Sequence, residues 1–173
     1  MKSQERTLRT GQHTAIRVDT MLSAALIAEF IAPSDHLWLV SAWITDVQVL
    51  DNSHGAYDAL FGDTPPVGCR LSDAVARIAH GGAQVHVVTR DDPHNEDFLR
   101  RLVKAASGRK LHIVRDPDIH EKTLCGNDWM LSGSMNFTIR GMARNDEKIT
   151  YRAGSDAAAQ ARIDLAERWG NGE

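Results

Sequence analysis

Four side chains in the second half of the sequence carry groups that could together bind and attack a phosphate: His120, Lys122, Ser134 and Asn136. An imidazole can attack phosphorus, an ammonium can neutralise phosphate oxygens, and a hydroxyl and a carboxamide can fix the orientation of the phosphate. His120 and Lys122 are two residues apart, so on a β-strand they project from the same face. These residue types predict phosphate chemistry at this stretch.

A β-hairpin is the element that must bring these groups together. Gly126-Asn127 are residue types that a tight hairpin turn favours, and residues 129–131, Trp-Met-Leu, are typical of a returning strand. The return places Gly133 and the residues after it beside the start of the hairpin. We therefore expect both halves of the motif at one end of the hairpin.

The pattern His120-x-Lys122 followed by Gly133-Ser134-x-Asn136 resembles the signature of the phospholipase D superfamily, the HKD motif. With one copy in 173 residues, the chain is most similar to the small bacterial single-motif phosphodiesterases and nucleases of that superfamily. The resemblance extends from about residue 37 to residue 169. Some relatives of this size belong to bacterial DNA-defence or DNA-modification systems.

The family pattern contains an aspartate whose spacing falls on Asn127 here, and Asp128 follows one place later. The distance from there to Gly133 is about one residue short of the pattern. This departure indicates a hairpin loop shortened by one residue, with the aspartate position at Asn127 or Asp128.

A second part of the resemblance lies further along the chain, where Asn145-x-Glu147 matches a short Asn-x-Glu segment of the family. The Glu147 carboxylate could accept a hydrogen bond from one imidazole nitrogen of His120, which leaves the other nitrogen to attack. The alternative is that Glu147 caps a strand edge.

The resemblance implies an α/β fold, a phospholipase D-like α-β-α sandwich with a mixed, largely parallel central sheet. It also implies a reaction through a covalent phosphohistidine, with no cofactor and no metal. Because the family reaction uses two motifs and this chain holds one, a homodimer with both hairpins at the interface is expected. The expected catalytic residues are His120, Lys122, Asn136, Ser134 and Glu147, and Gly133 is expected in substrate binding.

Three functional hypotheses are compatible with the sequence. A nuclease that cleaves DNA, or RNA, is the first, because small single-motif relatives are mainly nucleases. A phospholipid phosphodiesterase is another, although no amphipathic or lipid-anchoring segment supports it. From a different class, the chain could be a non-catalytic nucleic-acid-binding or scaffolding subunit of a bacterial DNA-defence or modification complex, which the substitution at Asn127 favours.

Charge and composition narrow the possible partners. The net charge of −3 and the pI of about 6.2 predict that any site for a polyanion is local. A candidate patch is the outward face of a predicted helix, with Arg100, Arg101 and Lys104 as expected substrate-binding residues; a solvated helix face is the alternative. No apolar run reaches membrane-spanning length, which predicts a cytoplasmic protein without membrane contact. Two distant cysteines predict buried thiols.

The periodicity of apolar residues predicts a single domain at 20–173, preceded by a polar N-terminal arm at 1–19. A loop-rich insertion is expected at about 46–70. The pattern predicts helices at about 21–31, 71–80, 96–107 and 156–169, and strands at 36–44, 83–89, 111–115 and 148–151, in addition to the hairpin.

Overall fold

The computed structural model describes residues 4–9, 18–134, 136–138, 148–154 and 156–170. The strands in these ranges are β1 (Gln4–Arg9), β2 (His36–Ser41), β3 (Gln48–Asp51), β4 (Gly68–Arg70), β5 (Gln84–Thr89), β6 (Leu111–Arg115), β7 (Lys122–Cys125), β8 (Trp129–Gly133) and β9 (Lys148–Ala153). The helices are α1 (Val18–Ile31), α2 (Asp58–Phe61), α3 (Leu71–His80), α4 (Glu96–Ala105) and α5 (Asp156–Trp169).

Seven of these strands form one mixed sheet in the order β1-β9-β8-β7-β2-β5-β6. The neighbours β2, β5 and β6 are parallel. The other four pairs are antiparallel: β2 with β7, β7 with β8, β8 with β9, and β9 with β1. The parallel part follows from the strand-helix-strand rhythm of the sequence, because a crossover helix is needed to return the chain in the same direction.

Helices cover both faces of the sheet, as the α-β-α prediction requires. On one face, apolar residues of α1, α3 and α4 pack against the odd-numbered side chains of β2 and β5, such as Leu37, Leu39, Val85 and Val87. On the other face, α5 packs against the even-numbered residues of β2. Both sets of side chains are buried because each central strand alternates its residues between two covered faces. The predicted α/β sandwich is thus confirmed.

Two segments differ from the sequence prediction. Residues 4–9 of the predicted arm form β1, which pairs with β9 at one edge of the sheet, and α1 begins at Val18 rather than near Met21. The predicted insertion contains the antiparallel pair β3 and β4, and Val49, Leu50 and Cys69 from this pair belong to the core under α1 and α3. The insertion therefore extends the core as well as carrying exposed turns.

Candidate active site

The motif residues lie at the edge of the sheet where β2, β5 and β6 end, which we call the carboxyl edge. Because β7 runs antiparallel to β2, its first residue, Lys122, is paired with the last residue of β2, Ser41. Because β8 runs antiparallel to β7, its last residue, Gly133, returns to the same edge. The strand directions alone therefore bring the two halves of the motif together, at the edge where parallel strands of α/β proteins place their ligands.

His120 precedes β7, and its side chain is exposed at the carboxyl edge. The ammonium of the half-buried Lys122 donates a hydrogen bond to the backbone carbonyl of His120. Lys122 and Leu124 project from the same face of β7, and Leu124 is fully buried in the core. The burial of Leu124 sets the face from which Lys122 projects. The strand pairing thus places both His120 and Lys122 at the end of the hairpin that lies on the carboxyl edge, as predicted.

Arg90 adds a third basic side chain beside His120 and Lys122. It follows the last residue of β5, and its guanidinium Nη2 lies 3.4 Å from Nε2 of His120. The guanidinium is stacked over Trp43, with 4.9 Å between Arg90 Cζ and the ring centroid, and Trp43 Nε1 donates to Asp92 at 3.3 Å. The Nε atom of Arg90 is buried and has no hydrogen-bond partner within the described part of the chain. An arginine with unused donors beside the imidazole provides a binding site for a phosphate oxygen.

Sequence analysis did not identify Arg90 as a site residue. A single arginine after a strand carries no local pattern, and the segment that joins Arg90 to His120 contains a whole helix and strand. The available signal was its position directly after a strongly apolar, buried strand, at the edge where functional groups of α/β proteins collect.

Asn136 is held at the carboxyl edge by Ser41. The Ser41 hydroxyl lies 3.3 Å from Asn136 Oδ1 and 2.9 Å from the carbonyl of Trp43, so its hydrogen is shared between the two acceptors. The next residue, Phe137, is 2% exposed, and its carbonyl accepts a hydrogen bond from the backbone N–H of Thr45 at 2.8 Å. The burial of Phe137 therefore anchors Asn136 near Lys122, the strand partner of Ser41.

Gly133 and Ser134 connect the hairpin to β9. A side chain at Gly133 would collide with the backbone carbonyl of Lys148, so the glycine is required by the close approach of two strands. The backbone N–H of Ser134 donates to the Lys148 carbonyl at 3.1 Å, and its hydroxyl accepts from the Lys148 N–H at the same distance. Both residues lie at the carboxyl edge, and the contacts of the Ser134 side chain with Lys148 orient its hydroxyl.

Asn127 and Asp128 lie at the opposite end of the hairpin, at its tip. The Asn127 backbone N–H donates to Ser34 Oγ at 2.7 Å, its Nδ2 donates to Asp35 at 3.3 Å, and its Oδ1 accepts from Arg162 at 3.4 Å. Asp128 is exposed, and its carbonyl accepts a hydrogen bond from Gly154 at 2.7 Å. None of these contacts involves His120 or Lys122, so both candidate aspartate positions act on the hairpin tip.

Close packing at the hairpin tip requires a glycine at position 126, whereas the backbone conformation of the turn does not. Gly126 has no left-handed backbone angle, but a Cβ there would lie 2.6 Å from both Glu29 Oε1 and Ser34 Oγ. The buried Glu29 carboxylate accepts hydrogen bonds from the Ser34 hydroxyl at 2.7 Å and from Trp129 Nε1 at 2.6 Å. Absence of a side chain at Gly126 lets this network close against the tip.

The expected substrate-binding patch on α4 is exposed and partly engaged in ion pairs. Arg100 and Arg101 contact the Asp97 carboxylate at 2.5 and 3.0 Å, and Arg101 also lies 3.7 Å from Asp46. Lys104 is exposed and forms no ion pair with another described residue. Among the described residues, no contact joins these three side chains to the motif, and their role in substrate binding stays a prediction.

Glu147, the expected partner of His120, and Asn145 lie outside the described residues, so the predicted orienting contact stays a prediction as well. Among the residues that are described, no three His, Cys, Asp or Glu side chains are grouped so as to hold a metal ion. Both cysteines are buried thiols, as expected from their spacing.

The fold agrees with comparisons to known proteins. The family described as cardiolipin synthase, PLD-like domain, matches residues 64–169, more than half of the chain. The chain therefore belongs to the phospholipase D-like family. Its fold is that of the superfamily's phosphodiesterases and nucleases.

Solved structures show the same fold at low sequence identity. The phospholipase D family member Nuc from Salmonella typhimurium is similar with a TM-score of 0.64 and 11% identity over 98% of this chain and 95% of Nuc. NucT from Helicobacter pylori is similar with a TM-score of 0.63 and 9% identity over 96% of this chain and 95% of NucT. The archaeal chromatin protein TrmBL2 gives a TM-score of 0.58 and 10% identity over 98% of this chain and 53% of its own.

A comparison with curated proteins gave no significant match. Within the described ranges, each helix is too short or too polar to cross a membrane.

Proposed function

We propose that this protein is a metal-independent nuclease that cleaves DNA through a covalent phosphohistidine at His120. The observation that carries the proposal is the meeting of His120, Lys122 and Asn136 at the carboxyl edge, with Arg90 Nη2 at 3.4 Å from the imidazole. These groups provide a nucleophile and several donors for phosphate oxygens in one exposed place.

In the first step, an imidazole nitrogen of His120 attacks phosphorus, and the bond from phosphorus to the leaving oxygen breaks. The leaving oxygen takes a proton from an acid. In the second step, water attacks the phosphohistidine, the phosphorus–nitrogen bond breaks, and the same acid, now a base, takes a proton from water. Lys122, Arg90 and Asn136 stabilise the negative charge on the non-bridging oxygens in both steps.

The acid is the His120 of a second copy of the chain. The family reaction needs two such motifs, and one chain supplies one. A homodimer that joins two carboxyl edges about a two-fold axis would place both histidines on one phosphate. In each chain, Glu147 would accept a hydrogen bond from the imidazole nitrogen that does not face the phosphate.

DNA is the proposed substrate because the single-motif relatives implied by the sequence are mainly nucleases, and because one protein of similar fold, TrmBL2, is described as binding DNA. The exposed cations Arg100, Arg101 and Lys104 would contact backbone phosphates beyond the cleaved bond.

The direct test is incubation of the wild-type protein with single-stranded DNA, double-stranded DNA, RNA and a chromogenic phosphodiester, all in EDTA. We expect cleavage by the wild type and a loss of at least 1000-fold, on the order of that seen for loss of a nucleophile, in His120→Ala. His54→Ala is the matched control, because His54 is exposed on the insertion and bonds to the neighbouring Ser53. Equal cleavage by His120→Ala would refute the proposal. Binding of DNA without cleavage would favour the non-catalytic binding subunit, and cleavage confined to phospholipid vesicles would favour the lipid hydrolase.

Two further measurements test the mechanism. Alkaline quench during turnover, followed by mass spectrometry, should detect a phosphorylated peptide that contains His120. Mixing wild type with excess His120→Ala should lower activity as the square of the wild-type fraction, since a mixed dimer holds one histidine. A linear decrease would contradict the shared site.

A further inference from the structure

A second concave site lies at the opposite end of the strands from the carboxyl edge, where β2 and β5 begin. This α5 cleft has a volume of about 350 Å³ between α5 and the amino-terminal ends of β2 and β5, and its lining includes His36, Trp38, Gln84, His86, Arg162 and Ile163. His36 is the first residue of β2, whereas Ser41 at the carboxyl edge is the last. Five residues of strand separate these positions by about 16 Å, so the α5 cleft is distinct from the candidate active site.

Buried rings form the floor of the α5 cleft. Trp38 and His86 are 2% and 3% exposed, and their rings are stacked with centroids 3.9 Å apart and planes inclined by 7°. Nε2 of His86 lies 3.0 Å from Nδ1 of His36, which uses one of the two ring nitrogens of His86. The other, Nδ1, is buried and has no hydrogen-bond partner among the described residues. A ring nitrogen in this condition is costly to bury unless a ligand or water reaches it.

The wall of the α5 cleft supplies a positive charge. Arg162 of α5 lines it, and its hydrogen bond to protein runs from Nη1 to Asn127 Oδ1 at 3.4 Å. Its Nε atom is buried without a partner, and within the described part of the chain Arg162 forms no ion pair. None of the described lining residues is acidic. A guanidinium that meets no carboxylate and has a buried, unused N–H is complementary to an anion.

The rest of the lining sets the kind of molecule that carries the anionic group. Ile163, Ala166 and the ring of Trp38 are apolar, and Ile163 is 51% exposed although it lines the cleft, so an apolar ligand body could cover it. A cavity of this volume, mostly apolar with a few converging polar groups, is at the small end of the range for small-molecule sites.

We propose that the α5 cleft binds a small organic anion, with its acidic group on Arg162 and its apolar body against Trp38 and Ile163. The Arg162 guanidinium, which forms no ion pair with a described residue, points to an acidic ligand group, and the partnerless Nδ1 of His86 is a polar atom of a residue that lines the same cleft. The acidic group is a carboxylate or a phosphate, which Arg162 can bind through the same paired donors. This site is separate from the proposed nuclease reaction and stands or falls on its own.

Isothermal titration calorimetry of the full chain tests the proposal with three probes of one shape: 2-naphthoate, 2-naphthyl phosphate and the neutral 2-naphthamide. We expect the two anions to bind with a Kd between about 10 μM and 1 mM, and the amide to bind at least tenfold more weakly. The stronger of the two anions identifies the acidic group. Failure of both anions to bind, or equal binding of the amide, would overturn the proposal.

Arg162→Gln should weaken the anions at least tenfold without changing the amide, while Arg162→Lys should restore part of the affinity. Arg168→Gln is the matched control, because Arg168 lies on the same helix over Trp169 and does not line the cleft. A thermal unfolding curve for each variant checks that it is folded. Unchanged affinity in folded Arg162→Gln would refute the assignment. A chain that ends at Gly170 is titrated as well, and binding seen only with that chain would show that residues 171–173 occupy the cleft, which also overturns the proposal.

Discussion

Nη2 of Arg90 lies 3.4 Å from Nε2 of His120, although Arg90 follows β5, His120 precedes β7 and the two residues are 30 positions apart. Because a guanidinium can only donate, a hydrogen bond in this contact is accepted by Nε2, which corresponds to the tautomer with its proton on Nδ1. The proposed reaction uses that tautomer, with Nε2 as the attacking nitrogen and Nδ1–H left for the proposed hydrogen bond to Glu147.

Substitution of Arg90 tests whether this guanidinium binds the phosphate. Arg90→Ala should lower kcat/KM for phosphodiester cleavage about 100-fold, because it removes a preorganised charge beside the proposed nucleophile, His120. The kcat/KM of Arg90→Lys should lie between those of the wild type and Arg90→Ala, since lysine keeps the charge and loses the planar stacking on Trp43. Arg168→Ala removes a similar arginine–tryptophan contact elsewhere and should leave activity unchanged. Loss of activity in Arg168→Ala equal to that in Arg90→Ala would contradict a specific role.

Ser41 positions Asn136 and should matter for catalysis more than for folding. Ser41→Ala removes the hydroxyl between Asn136 and the Trp43 carbonyl, and we expect kcat/KM to fall about tenfold while stability changes by about 1 kcal/mol. Ser72→Ala is the matched control, because Ser72 is 1% exposed and its hydroxyl has no partner among the described residues. Steady-state kinetics and urea unfolding measure both effects, and equal kinetic losses in the two variants would refute the positioning role.

The hairpin tip predicts a large cost for a single methyl group. Gly126→Ala should lower the free energy of unfolding by about 2–4 kcal/mol, since the new carbon would displace Glu29 and Ser34 from their hydrogen bonds. Gly108→Ala is the comparison, because nothing lies within 4 Å of its added carbon and the cost is that of a left-handed backbone, about 1 kcal/mol. Urea unfolding measures the difference, and equal costs would contradict the packing argument.

His86 predicts a loss of stability in mild acid. Burial, followed by repulsion from His36 and His112, lowers its pKa from 6.5 to about 4, and Arg162 of α5 adds a further positive charge to the same cleft. The unfolded chain takes up the proton first, so this contribution is present above pH 6.5 and is lost as the pH falls toward 4. Between pH 7.5 and 4.5 it amounts to about 2–3 kcal/mol.

His86→Phe should remove that part of the pH dependence, as measured by urea unfolding at the two pH values. His54→Phe, at an exposed position, should retain the wild-type difference. A His86→Phe protein with the full wild-type pH dependence would show that other groups are responsible.

The two thiols should be inert in the folded protein. Burial raises the pKa of Cys69 and of Cys125 to about 12, so at pH 8 about one thiol in ten thousand is ionised, and the thiolate is the reactive form. Ellman's reagent should therefore label neither cysteine in native buffer and both in urea. Rapid labelling of the native protein would contradict their burial.

The sequence was informative where hydrophobic periodicity and the motif coincide. Helix α3 and strand β5 were predicted to within a residue, because Val75 and Ile78 lie on one helical face and residues 85–89 form a continuous buried strand. The approach of the two motif halves followed from the hairpin.

Other features had no local signal. Strand β1 is an exposed polar edge strand that exists through its pairing with β9, and Arg6 or Thr7 alone do not indicate it. Strands β3 and β4 are four and three residues long, too short for an alternation to be visible. The contact between Arg90 and His120 depends on β5 and β7 lying on either side of β2, which is a property of the whole sheet.

The hairpin also separates the part of the chain that can change in length from the part that cannot. Three residue pairs, Thr123 with Ser132, Leu124 with Leu131 and Cys125 with Met130, connect its tip to the carboxyl edge. A residue gained or lost at the tip leaves these pairs in register, so the loop shortening expected at Asn127 would not move Lys122 relative to Ser134. A deletion within β7 would instead exchange the two faces of the strand and turn Lys122 away from its partners. Natural or engineered variation in hairpin length is therefore expected at the tip, where stability changes while the arrangement of reacting groups is preserved.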